Sequence, residues 1–243
     1  MSLNLSLLRA HPAEIDADAV IVAIHEDGSL SEAARALDER SGGRISALVA
    51  SNDASGKPGR CLLTHGLANV RAARVLLVGV GEIAKLDTGR YAKLCLDAMR
   101  ALKGTPVKRA WSALPELVVN GRDAGWALRQ AALAADHVGY AYTATRKAGN
   151  GGGLEHLMLA GDAQHAPALA QAAAIAQGVR RGARAGQPAA EHLQPGLPRR
   201  QSREMSRAST PGSSARCWNA TRCSSSAWAR CWAWPRAAPT RRA

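Results

Sequence analysis

Residues Ala19 to Ile24 form an uninterrupted apolar run rich in β-branched side chains. A strand without polar alternation is covered on both faces, which places it inside a sheet sandwiched between helices. This run therefore sets the expectation for the whole N-terminal part: a parallel or mixed sheet with helical layers.

The segments that follow fit that frame. Ser29 with Glu32 three residues on has capping-box spacing, and Gly42-Gly43 supplies the stop, because glycine takes left-handed angles cheaply. A short helix is expected near Ile45 to Val49. The turn Gly56-Lys57-Pro58-Gly59 leads into a strand over Arg60 to His65, and Arg74 to Val80 is a second apolar strand. Asp87 or Thr88 caps a helix whose apolar positions Tyr91, Leu94, Cys95, Ala98, Met99 and Leu102 make one stripe at steps of three and four. A strand is expected over Arg109 to Leu114. A long helix is expected from Gly121 to Thr143 behind an Asn120 cap, with Ala127, Leu128, Ala131, Ala135, Val138 and Tyr142 inward. Lys147 to Gly153 is a glycine-rich loop, Glu155 to Ala160 a last strand, and Pro167 to Arg181 a last helix. The alternation of strands and helices predicts a single α/β mixed-sheet domain flanked by helices, followed by an irregular or disordered tail. The expected boundaries are 1–161 for the domain, 162–181 for a linker helix and 182–243 for the tail, with a soluble fragment ending near residue 165.

The net charge of +13 is unevenly placed. Residues 1–181 hold 21 Lys and Arg against 17 Asp and Glu, whereas 182–243 hold 11, all Arg, against 2. A basic patch is a reason to consider an anionic partner, but here the signal belongs to the last quarter. The N-terminus lacks the pattern of a secretory signal, and no run of about 18 apolar residues is present. Cys61 and Cys95 sit singly in apolar patterns, as buried thiols of a reducing compartment do. A cytoplasmic location and no membrane span are expected.

Few motifs carry chemistry. Gly79-Val80-Gly81 follows a strand and partly matches a dinucleotide fingerprint. Lys85-Leu86-Asp87 separates it from the next helix, so a plain turn at a strand end is the better reading. His25, His65, His137 and His156 lie on different elements without metal spacing. Asp16 and Asp18 could hold a cation, and Lys57 and Arg60 could meet a phosphate, but a solvated loop and a surface turn are the better readings. No G-x-S-x-G elbow is present. Cys217, Cys223 and Cys231 lack zinc-ribbon spacing and a fourth ligand.

From Gly182 the hydrophobic periodicity stops. Four of the six Trp residues lie in the last 26 positions among Arg, Ala, Ser, Pro and Cys. A disordered segment is poor in Trp and Cys, so this composition suits neither a fold nor a linker. It suits GC-rich codons read out of frame. The genetic code tests this. Reading the last two bases of each codon with the first of the next, the segment from Gly182 to Arg200 permits Ala-Arg-Glu-Leu-Gly-Asn-Leu-Pro-Pro-Asn-Ile-Cys-Asn-Pro-Ala-Tyr-Leu-Ala. From Cys217, the third base of each codon joined to the next two is stricter. Cys217-Trp218 gives only Leu, Trp218-Asn219 only Glu, Trp228-Ala229 only Gly, Cys231-Trp232 only Leu, Trp232-Ala233 only Gly and Trp234-Pro235 only Ala. The permitted string begins Leu-Glu-Arg-Asp-Ala-Met, with the helical apolar spacing that the written tail lacks. The two stretches need different frames, so at least two insertions or deletions are implied.

These strings resemble the leucyl aminopeptidase (cytosol aminopeptidase, M17) family just after its domain junction. Residues 1–181 resemble that family's N-terminal domain through DADAVIVAI, the helix ending at SGGRISALV, GKPG, RVLLVGVGE and IAQGVRRGAR. Ser55 stands where the family often has an aromatic residue, and the chain has no Phe. The resemblance implies that a complete protein removes N-terminal residues from peptides by two-metal hydrolysis, with two divalent ions (manganese or zinc) in a C-terminal domain and a homo-hexameric assembly. The family's N-T-D-A-E-G-R signature is absent from these residues, so no catalytic, cofactor-binding or metal-ligating residue is carried onto this sequence. No cofactor is expected in this chain, and peptide is a partner only where the catalytic domain is present. The alternative is a stand-alone interaction module whose basic tail binds nucleic acid or acidic partners. A nucleotide-binding domain using Gly79 and Gly81 is the third reading.

Overall fold

The computed structural model describes residues 3–139 and 153–186. Six strands form one sheet: β1 (Asn4–Leu7), β2 (Ala19–His25), β3 (Cys61–His65), β4 (Arg74–Gly81), β5 (Arg109–Ser112) and β6 (His156–Leu159). Their spatial order is β1-β6-β5-β2-β4-β3. Every neighbouring pair is parallel except β3 with β4. All seven residues of β2 are buried, as its unbroken apolar run requires of a central strand.

Helices cover both faces. Val20, Val22 and Ile24 point to one side with α1 (Glu32–Arg40) and α2 (Arg44–Ala50). Ala19, Ile21 and Ala23 point to the other, beneath α3 (Thr88–Leu102), α4 (Ala124–Gly139) and α5 (Ala166–Gly186). All six stripe positions of α3 are buried. Tyr91 among them places its hydroxyl 3.1 Å from the Leu114 carbonyl and 3.2 Å from that of Ala127, which satisfies this polar group within the core.

The expected elements form, with shifted ends. Helix α1 starts at Glu32 because Ser31, not Ser29, accepts the amide of Ala34 (3.3 Å); Ser29 bonds to Asp27 instead. Strand β5 stops at Ser112, and Pro115 sits in the 3-10 turn that follows. Asn120 is not a cap: its Nδ2 donates to the Ala84 carbonyl at 2.7 Å, and Asp123 accepts the Trp126 amide at the head of α4. Strand β1 was not expected. Tyr142, most of the 147–153 loop and the tail from residue 187 lie outside the described residues.

Helix α5 packs against α4 and β1. Ala172 and Ala176 are buried, Arg129 of α4 donates to Gln171 at 2.8 Å, and Arg180 meets Asp136 at 3.2 Å. Residues 1–186 form one compact unit.

Candidate functional site

In an open α/β sheet, ligand crevices lie beyond the carboxyl ends of strands where the chain reverses its direction of winding. Here that place is β2, flanked by β4 on one side and β5 on the other. The carboxyl ends of β2 and β4 are covered by the chain's own segment 55–59. The Gly81 amide donates to the Gly56 carbonyl (2.8 Å), the Gly59 amide to Gly79 (3.2 Å), and the Gly79 amide to Arg60 (2.8 Å).

Glycine is what lets the backbones approach. A Cβ on Gly56 would lie 1.8 Å from the His25 carbonyl oxygen, and one on Gly79 would lie 2.2 Å from that of Lys57. Gly81 has φ +84° and would meet Pro58 at 2.7 Å. The Gly79-Val80-Gly81 motif therefore receives a peptide segment. Carbonyl oxygens, not amide donors, face Gly79, and that geometry repels a phosphate instead of cradling it.

The other singled-out residues stay apart. The Asp18 carboxylate accepts the amides of Lys108 (2.9 Å) and Arg109 (2.8 Å), and Asp16 pairs with the Arg109 guanidinium at 3.1 Å. Those contacts tie the start of β5 to the loop before β2. The backbone hydrogen bonds hold the Asp18 carboxyl below its usual range, against the opposing effect of partial burial. His156 bonds to Ser6 Oγ at 2.8 Å across the β6–β1 pair. His65 and His137 are exposed. Among the described residues no three His, Cys, Asp or Glu side chains converge to hold a metal ion. The described donors thus do not fit the metal pair that the sequence resemblance implies.

Two groups were not legible as special in the sequence. His25, at the end of β2, is 8% exposed, and its Nδ1 has no hydrogen-bond partner among the described residues. Burial holds its imidazole below the usual pKa, an effect only partly offset by Asp27. Cys61 lines two clefts, but burial and the nearby Asp97 push its thiol up to about 11, and burial pushes Cys95 to about 12. Neither is a ready nucleophile at neutral pH.

Residues 21–149 match the model of the cytosol aminopeptidase family, N-terminal domain. The chain belongs to the cytosol aminopeptidase family. It is 45% identical over 183 residues to a probable cytosol aminopeptidase of Xylella fastidiosa strain M12, covering 74% of this chain and 37% of that one. The chain thus spans little more than a third of the length of this relative. Among solved structures, the fold resembles tomato leucine aminopeptidase (TM-score 0.69, 17% identity, 85% of this chain and 42% of that one). It also resembles the bottromycin maturation enzyme BotP, solved with manganese (TM-score 0.59, 20% identity, 79% and 36%). The family membership expected from the sequence motifs, and the α/β mixed-sheet fold, are both found. Among the described residues no helix is long and apolar enough to cross a membrane.

Proposed function

We propose that residues 1–186 are the non-catalytic N-terminal domain of a cytoplasmic leucyl aminopeptidase and that the 243-residue chain has no peptidase activity of its own. The observation that carries this reading is the match of residues 21–149 to that domain's model. The chain aligns with 37% of that relative's length. The carboxyl ends of β2 and β4 are covered by residues 55–59, and the thiols near the surface of the sheet are held protonated. Both features suit a scaffold rather than a reaction centre.

The family's reaction uses two divalent ions, such as manganese or zinc, to activate water and polarise the scissile carbonyl. That chemistry belongs to a complete, hexameric relative. The tail from Gly182 supports the same reading at the level of the code, since its shifted frames permit strings that resemble the family's next segment. The reading is a frameshifted, truncated aminopeptidase.

The purified chain, supplied with manganese, is expected to leave leucyl anilide intact over hours. Release of the anilide at a rate proportional to protein, and abolished by a chelator, would overturn the proposal.

A further inference from the structure

We propose that the outer edge of β3 binds an extended acidic peptide, which adds to the sheet as a seventh strand. Among the described residues β3 pairs only with β4 and ends the sheet. In an antiparallel pair the backbone groups of successive residues point alternately toward and away from the partner. The Gly79 amide donates to Arg60 and the Gly66 amide to Ala73, which puts residues 60, 62, 64 and 66 on the inward phase. Cys61, Leu63 and His65 therefore present their amides and carbonyls to the open side. Such a row is a template for a further strand.

The two faces beside this edge are shaped to receive side chains. A cleft of about 380 Å³ opens beside the segment that follows α2, with Asn52, Leu62 and Leu77 in its lining. A second, broad and shallow depression beside α3 has Cys61 and Ala101 in its lining. Arg60 borders both. An added strand sends alternate side chains to opposite faces, one set into each cleft.

Charge decides the kind of strand. Lys57 lines the α2 side, Lys93 the α3 side and Arg60 both. None of these three cations forms an ion pair among the described residues. Of the two carboxylates in the clefts, Asp97 already pairs with Arg100 at 3.4 Å and Asp53 accepts the Ser51 hydroxyl at 2.8 Å. A second copy of β3 would bring like charges together, which is how basic residues keep sheet edges from self-pairing. A single-stranded nucleic acid would want aromatic stacking platforms, and Lys57 to His65 contains no Phe, Tyr or Trp. A peptide carrying apolar and acidic side chains on both faces matches all of these features.

The test uses the full chain and a fluorescein-labelled, amidated octapeptide of two Val-Val-Glu-Glu repeats, read by fluorescence anisotropy. Binding is expected to weaken about tenfold in the doubly substituted Lys57→Glu, Lys93→Glu chain. A similar loss is expected for His65→Pro, which removes one outward amide at an exposed edge position. An equally charged peptide with Pro at two Val positions should also bind about tenfold less tightly. Thermal midpoints unchanged by the substitutions establish that the variants remain folded. Absence of binding overturns the proposal. So does equal binding of the Pro-containing peptide or of oligodeoxythymidine, which would indicate a non-specific anion patch. Binding indifferent to the substitutions would move the contact to the arginine-rich tail and overturn it as well.

Discussion

The Arg180 guanidinium on α5 lies 3.2 Å from the Asp136 carboxylate on α4, with their side chains 23% and 10% exposed. A carboxylate this buried is tolerable only while its partner is present. Removing one member leaves the other desolvated and uncompensated. Arg180→Ala should therefore cost about 2–3 kcal/mol in urea unfolding, whereas Arg90→Ala, at an exposed pair, should cost well under about 1 kcal/mol. Equal effects would show that α5 is not docked as described.

The same contact bears on where a soluble fragment can end. A chain cut near residue 165 would lose α5 and uncover the α4 surface against which Ala172 and Ala176 pack. A 1–186 fragment is expected to be monodisperse and to unfold cooperatively, and a 1–165 fragment to aggregate. Size-exclusion chromatography of the two distinguishes these outcomes.

Gly79 and Gly178 should respond in opposite directions to alanine. At Gly79 the new Cβ would lie 2.2 Å from a backbone oxygen, and the segment it meets is itself hydrogen-bonded to β4, so neither side yields easily. A loss of about 3 kcal/mol or more is expected. Gly178 lies within α5, with none of the described residues within 4 Å of the added Cβ. Alanine there should gain about 0.5–1 kcal/mol through helix propensity. Denaturant midpoints of the two variants suffice.

How far the sequence reaches is clear from these residues. The unbroken run in β2 and the stripe of α3 were legible because burial on two faces and on one face leave different periods. Strand β1 was not, since Asn4 to Leu7 is short and half-exposed and exists as a strand only through its pairing with β6. The misplaced caps have a common cause. Ser29 and Ser31, like Asn120 and Asp123, are local competitors of similar propensity, and the tertiary contact of Asn120 with Ala84 decides between the latter two. The approach of Gly56 to His25 joins segments about 30 residues apart, so the glycines show in the sequence while the reason for them does not.

His25 makes stability fall on the acid side of neutrality. Its folded pKa is depressed by burial, so between that value and the unfolded pKa of about 6.5 the unfolded chain binds more protons. Stability is then unaffected above that range and is lost as pH falls through it. His25→Gln should flatten the part of the pH profile just below about 6.5. A profile of thermal midpoints identical in both proteins would mean that the imidazole is solvated in the native state.

Cys95 and Cys61 should resist alkylation in that order. Their thiols are pushed up to about 12 and about 11, and only the thiolate attacks iodoacetamide. At pH 7.5 site-resolved mass spectrometry is expected to find Cys95 unmodified, Cys61 slowly modified, and both labelled quickly in urea. Rapid native labelling of Cys61 would place it in a far wetter site.

The coding DNA should read as an aminopeptidase in two shifted frames. The codons of Cys217-Trp218 and Trp218-Asn219 force Leu-Glu whatever bases were used, but the next positions are free. Asn219-Ala220, for example, yields either Arg or Cys according to a single third base. Sequencing from upstream of the Gly182 codon to beyond the Ala243 codon fixes all such bases. They should spell Arg-Asp-Ala-Met at the free positions, and the restored frame should run on into the N-T-D-A-E-G-R signature. A frame that closes up on resequencing makes this chain the beginning of a working enzyme, and confirmed insertions or deletions make it an inactive remnant. Third bases that give stop codons or unrelated residues in both shifted frames would refute the frameshift altogether, and the Trp- and Arg-rich tail would then need a selective explanation of its own.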